Sequence, residues 1–408
     1  MTNEVKNVPE LRFPEFSEEW EEKILDEVST FSKGKGISKN DLSKDGTSCI
    51  LYGELYTTYD FIINKIKSKT LLDTKNLVKG KKNQVLIPSS GETPLDIATA
   101  AVINTTEDML LGGDINVLTP VQKYDGKFIS LSINGKNKSN LSKYAQGKSV
   151  VHLYNNDIKK LKIKFPVKNS EQRKIGDFFS KLDRQIELEE QKLEKLEEQK
   201  KGYMQKIFSQ EFRFKDENGN NYPEWEETNL GNLLVEINQK STLNDQYLLL
   251  SSTKNGLVNQ SDYFKKQIGS KDNTGYKILR LNQMVISPQN LWLGNINFND
   301  QFEIGIVSPS YRIYEFNSKV TFQFLKYLLK TSRYIYEYGQ ASEQGASVVR
   351  RNLNLDLFYE IKVNLPKLVE QEKIGNFFKK IDKSIDKQFN KVELLKERKK
   401  GFLQKMFV

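Results

Sequence analysis

Two stretches decide the fold: "EQRKIGDFFSKLD" at residues 171–183 and "EQEKIGNFFKKID" at residues 370–382, 199 residues apart. Aligned from Glu171 and Glu370, the match runs without a gap to Ser209 and Val408, with 20 of 39 positions identical. In the first copy Ile175, Phe179, Leu182, Ile186, Leu193, Leu196, Tyr203 and Ile207 recur at alternating spacings of four and three. Ile374, Phe378, Ile381, Ile385, Val392, Leu395, Phe402 and Met406 repeat that pattern in the second. Such a stripe is a heptad seam, and no proline interrupts it. Each copy therefore predicts one helix, about 58 Å long at 1.5 Å per residue.

Four polar residues break the seam: Glu189 and Lys200 in the first copy, Gln388 and Lys399 in the second. A parallel pair in repeat register would set Lys200 against Lys399, a like-charge contact. An antiparallel pair lets Glu189 face Lys399 and Lys200 face Gln388, and polar seam residues of this kind commonly fix register. The expectation is an antiparallel coiled coil in that register.

The remainder of the chain repeats more faintly. "NQVLIPSS" at 83–90 answers "NQMVISPQ" at 282–289, and "WEEKIL" at 20–25 answers "WEETNL" at 225–230. "LRF" at 11–13 has its partner in "FRF" at 212–214, just past the first helix. The order is module, helix, module, helix, and the leader looks like a segment that should follow a helix. The repeat is cyclic, which predicts neighbouring termini and an approximate two-fold relation like that of a homodimer. The expected division is 1–168 (with leader 1–20), helix 169–209, 210–367 and helix 368–408. "QVLIP", "AAVIN", "QMVIS" and "EIGIVSP" read as strands, and "TFQFLKYLLKTSRYIYEYG" at 321–339 as one aromatic-rich helix. The fold class is α+β, with two mixed α/β modules.

The chain has 408 residues, 37% apolar and 28% charged, with a net charge of +10. This composition fits a folded chain, and the basic balance fits either an acidic partner, usually nucleic acid, or solubility alone. The sequence has neither a bilayer-spanning apolar run nor a basic-then-apolar leader, and its one cysteine, Cys49, fits a reducing compartment. No membrane association and a cytoplasmic location are expected. No phosphate loop and no nucleophile elbow occur, and one histidine with one cysteine makes neither a zinc site nor a Cys–His couple. No catalytic residue and no metal ligand are assigned. His152 invites a structural or phosphate-facing role.

Lysines cluster in both modules, and lysine neutralises phosphate without reading sequence. Base reading needs amide, hydroxyl or guanidinium groups on loops. The candidates for DNA contact in the first module are Lys33, Lys35, Lys81, Lys82, Ser89, Ser90 and Thr93. Those in the second are Lys254, Asn255, Lys265, Gln289, Asn290, Arg350 and Arg351.

This layout resembles the specificity subunit of Type I restriction-modification systems. The resemblance is carried by the leader "PELRFPEFSEEWEE", the doubled "EQxKIGxFFxK[LI]D" motif behind Pro166 and Pro366, and the helix ends "KKGYMQKIF" and "KKGFLQKMF". It covers essentially the whole chain. One departure is small: the second motif has one residue fewer between proline and glutamate. The resemblance implies two target-recognition domains, each reading half of a bipartite, asymmetric duplex, with the helices as spacer. It implies two modification subunits using S-adenosylmethionine to methylate adenine, and two motor-nuclease subunits using ATP and Mg. None of these cofactors would be bound by this chain. The competing expectation is a non-catalytic scaffold presenting two protein- or glycan-binding modules on a coiled coil.

Overall fold

The computed structural model describes residues 7–254, 256–263, 270–344 and 351–408. The chain divides into two compact units. The first is Met1–Gln191 with Asn390–Val408, and the second is Lys192–Phe389. Both expected long helices form, at Asn169–Phe208 and Leu368–Lys405. Each gives its early turns to one unit and its late turns to the other.

In the first unit, five strands order as Ser29–Lys33, Ile115–Pro120, Val85–Pro88, Ala101–Ile103 and Ile62–Ile63, all antiparallel neighbours except the last pair. A second five-stranded sheet is centred on Thr47–Ile50, between Ser68–Thr70 and Met109–Leu111. Val85, Ile87 and Val102 pack with helix Gly126–Asn134, whose Asp125 caps the Lys127 and Phe128 amides. The second unit has a four-stranded sheet ordered Leu234–Ile237, Arg312–Phe316, Met284–Ile286 and Ile296–Phe298. The predicted strands in "QVLIP", "AAVIN", "QMVIS" and "EIGIVSP" are present.

The framing motifs close each unit in the same way. Glu21–Ile24 pairs antiparallel with Lys162–Phe165, and Glu226–Asn229 with Lys362–Leu365. Glu171 is 1% exposed, and Arg12 grips it with two bonds, Nε to Oε1 at 2.7 Å and Nη2 to Oε2 at 2.8 Å. Arg213 grips Glu370 likewise, at 3.2 and 2.8 Å. The neighbouring glutamines tie helix to module: the side-chain Oε1 of Gln172 accepts from the Asp125 amide, and that of Gln371 from the Thr321 amide. The motif glycine is needed for close approach. A Cβ at Gly176 would lie 2.8 Å from Lys127 Cβ, and one at Gly375 2.7 Å from Gln323 Cβ. The "EQxKIG" motif is thus a docking clamp between helix and module.

The helix segments within each unit run antiparallel, as expected. In the first, Phe178 meets Phe402, and Glu189 pairs with Lys391 at 2.9 Å. In the second, Tyr203 meets Phe377. The expected register is wrong, however. Lys399 pairs with Asp183 at 2.6 Å and with Asp60, not with Glu189, and Lys200 pairs with Asp382 at 2.7 Å, not with Gln388. Each lysine finds its carboxylate six residues earlier than the seam alone suggested. A buried ammonium must be compensated. Asp183 and Asp382 sit beside the seam, and Asp60 comes from the module; counting seam residues alone left all three out. Burial works against the Lys399 charge, but Asp60 and Asp183 more than offset it and raise its pKa.

A second correction concerns residues 321–339. They form two helices, Phe322–Leu328 and Ser332–Gln340. Thr331 turns the chain by donating both its amide and its hydroxyl to the Leu328 carbonyl, at 3.1 and 2.9 Å.

Candidate nucleic-acid interface

In the first unit the strand Val85–Pro88 delivers "SSGET" at its C-terminal end. Register puts Lys33 at the same end, because Asn116 lies opposite both Ile87 and Lys33. The short strand Val151–His152 pairs with Ser90–Gly91, setting His152 opposite Ser90. His152 Nδ1 lies 3.0 Å from Ser90 Oγ. The His152 and Tyr154 rings are stacked at 6.1 Å, and Lys33 Nζ sits over the Tyr154 ring at 5.6 Å. Tyr154 is 45% exposed. Lys33, Ser90, His152 and Tyr154 thus form a basic, aromatic and hydroxyl-bearing patch at one sheet end, a composition suited to duplex contact. Lys35 follows on the adjoining loop, its amide bonded to the Leu111 carbonyl.

The other first-unit candidates separate from this patch. Ser89 is buried, its amide and carbonyl spent on Asp114 and Leu153. Thr93 caps the short helix Pro94–Ile97, with its hydroxyl 2.7 Å from Asp96 Oδ2. Lys81 and Lys82 are exposed on the turn that precedes Val85–Pro88, at the opposite end of that strand.

In the second unit Gln289 and Asn290 follow the strand Met284–Ile286, as Ser89 and Ser90 follow theirs. The Gln289 carbonyl accepts from the Arg351 amide at 3.2 Å. The Arg351 guanidinium lies 4.4 Å from the centre of the Trp292 ring, a cation–π stack that holds it in place. Gln289, Asn290, Trp292 and Arg351 therefore assemble around one strand end. Lys254 stands apart, in the hairpin joining Leu250–Thr253 to Gly256–Asn259. Asn255, Lys265 and Arg350 lie outside the described residues.

Sequence reasoning did not select Tyr154 and Trp292. The available signal was their position: each is an aromatic side chain within three residues of a candidate hydrogen-bonding group in a framed stretch. Among the described residues, no group of three or more His, Cys, Asp or Glu side chains is arranged to hold a metal ion. No described helix is long and apolar enough to cross a membrane.

Residues 17–198, which contain the first of these patches, match the Type I restriction modification DNA specificity domain. Solved structures agree on the fold. The S subunit of a Type I restriction-modification system from M. genitalium aligns at a TM-score of 0.61 and 19% identity, covering 98% of this chain and 99% of that one. A chain from a structure concerning complex assembly and conformational transition of the type I R-M system aligns at 0.54 and 15%, covering 96% and 98%. This chain thus shares its fold with both of those chains along nearly its whole length.

Proposed function

We propose that this chain is the DNA specificity subunit of a Type I restriction-modification complex, in which each unit reads one half of a bipartite, asymmetric duplex target. The observation that carries this reading is a repeated frame with unequal furnishing. Equivalent strand ends carry Lys33, Ser90, His152 and Tyr154 in one unit and Gln289, Asn290, Trp292 and Arg351 in the other. Different readers on one scaffold suit an asymmetric sequence. Phosphate contacts from the surrounding lysines would position the duplex, and the amide, imidazole and guanidinium groups would face base edges.

The chain itself performs no chemistry in this proposal. Modification subunits supply S-adenosylmethionine and methylate adenine after flipping it from the stack. Motor-nuclease subunits supply ATP and Mg and cut unmodified DNA. Two of each join one specificity chain, in the cytoplasm where the genome lies.

The test is a genome-wide map of methylated adenine in a host carrying this chain and its modification subunits, with and without this gene. A gapped two-part motif that disappears on deletion is expected. An unchanged methylation pattern would sink the proposal. The scaffold reading would then be favoured if the chain also failed to bind duplex DNA in a salt-dependent way.

A further inference from the structure

His152 is the only histidine in the chain, and its surroundings fix it in place. Its backbone exchanges two hydrogen bonds with Gln146, at 2.7 and 2.9 Å. The next residue, Leu153, donates to the Ser89 carbonyl and accepts from Asn116 Nδ2 at 2.8 Å. The ring is held by Ser90 Oγ at Nδ1 and by the stacked Tyr154. Ser90 is buried, and a buried hydroxyl that only accepted would leave its own proton without a partner. Ser90 therefore donates to Nδ1, which assigns the ring proton to Nε2. Among the described residues Nε2 has no hydrogen-bond partner. A rigid ring with one nitrogen tethered and one N–H uncommitted is a pre-organised donor.

We propose that His152, through Nε2–H, donates a hydrogen bond to a base edge in the half-site read by the first unit and so determines specificity there. The acceptor class is a purine N7 or O6, or a thymine O4, in the major groove. Tyr154 and Ser90 act as positioning residues, and Lys33 places positive charge beside them. The proposal rests on the specificity-subunit reading. It goes beyond a loop-closing His–Ser contact, which would hold the strand pair together without facing DNA.

The test compares methylated-adenine maps for complexes carrying the wild-type chain, His152→Phe and His152→Gln. His152→Phe keeps an aromatic ring against Tyr154 and removes the donor. It should relax one base position in one half of the motif, with discrimination there falling about tenfold. The other half should stay unchanged, and His152→Gln, which keeps an N–H, should retain part of the discrimination. An unchanged motif in His152→Phe overturns the proposal, as does a loss spread over both halves. Uniform weakening with a shallower salt dependence would assign His152 to phosphate and also overturn it. If His152→Phe does not accumulate as folded chain, His152→Ala, which also removes the donor, is read by the same outcomes. A wild-type complex that yields no gapped motif fails the specificity-subunit reading itself, which is a separate result.

Discussion

At the residue scale, the clamp around Glu171 explains why "EQ" and "LRF" belong together although 159 residues separate Arg12 from Glu171. The sequence displayed both pieces as repeats but could not show that they bond to each other. Removing one partner of a buried pair strands the other charge. Arg12→Ala should destabilise the first unit by about 3 kcal/mol or more in urea unfolding, and Arg12→Ala with Glu171→Ala should recover part of that loss. A buried charge of the opposite kind sits in the second unit. Burial, reinforced by nearby Lys326, lowers the Lys330 ammonium to about 8. Its Nζ donates to Asn297 Oδ1 at 3.1 Å. Because the folded state binds this proton less tightly than the unfolded chain, the cost is fully present below pH 8. It is relieved as pH rises toward 10.5. The pH-dependent gain between pH 8 and 10.5 is on the order of 2 kcal/mol from this group, and Lys330→Met should remove it from the difference between denaturation curves at the two ends. Among the candidate readers, Ser89, Ser90 and Thr93 look interchangeable as letters. Only packing reveals that Ser89 is buried, that Thr93 is a helix cap and that Ser90 faces His152.

At the element scale, the helices were the most legible part of the chain, because a stripe sustained over about five heptads leaves few alternatives. Their sense was legible too, from the clash a parallel pair would create. Register was not, since it depends on Asp60, a loop residue of the module, and on aspartates flanking the seam. Leu182, Ile186 and Leu395 form one apolar cluster with Phe402 packed against it. In a Cys49→Ser background, a cysteine pair at Ile186 and Leu395 should cross-link on mild oxidation. A pair at Ile186 and Phe402, which the seam-only register would join, should not. Non-reducing gel mobility of the two variants decides this. The background substitution is a precaution, because burial already raises the Cys49 thiol to about 11 and leaves almost no thiolate at neutral pH. The aromatic segment at 321–339 misled for a different reason: its stripe continues across residues 329–331, where local hydrogen bonds at Thr331 turn the chain.

At the scale of the whole molecule, each unit's core is finished by the far end of a helix that begins in the other unit. Leu403, Met406 and Phe407 are buried with Trp20, Phe128 and Phe179, and Ile207 is buried with Phe324, Phe358 and Phe378. The cyclic repeat read from the sequence implied only neighbouring termini, which the Leu11–Lys405 contact bears out; the shared cores and the individual strand pairings were beyond its reach. Removing residues 403–408 should therefore injure the N-terminal module, although the deletion lies at the other end of the polypeptide. Three buried apolar side chains account for on the order of 5 kcal/mol. Hydrogen exchange should show protection lost at strands 85–88 and 115–120 and retained at 284–286 and 312–316. Equal loss in both sets would refute this assignment of cores. The leader adds a consequence of its own. The Leu11 amide donates to the Lys405 carbonyl at 2.9 Å, just as the Phe212 amide donates to the Lys206 carbonyl at 3.0 Å. The leader thus treats the last helix as its predecessor, although no peptide bond joins them. A gene opened after codon 209 and sealed between codons 408 and 7 would keep these leader contacts in a new order, and the permuted chain is expected to fold into the same two units.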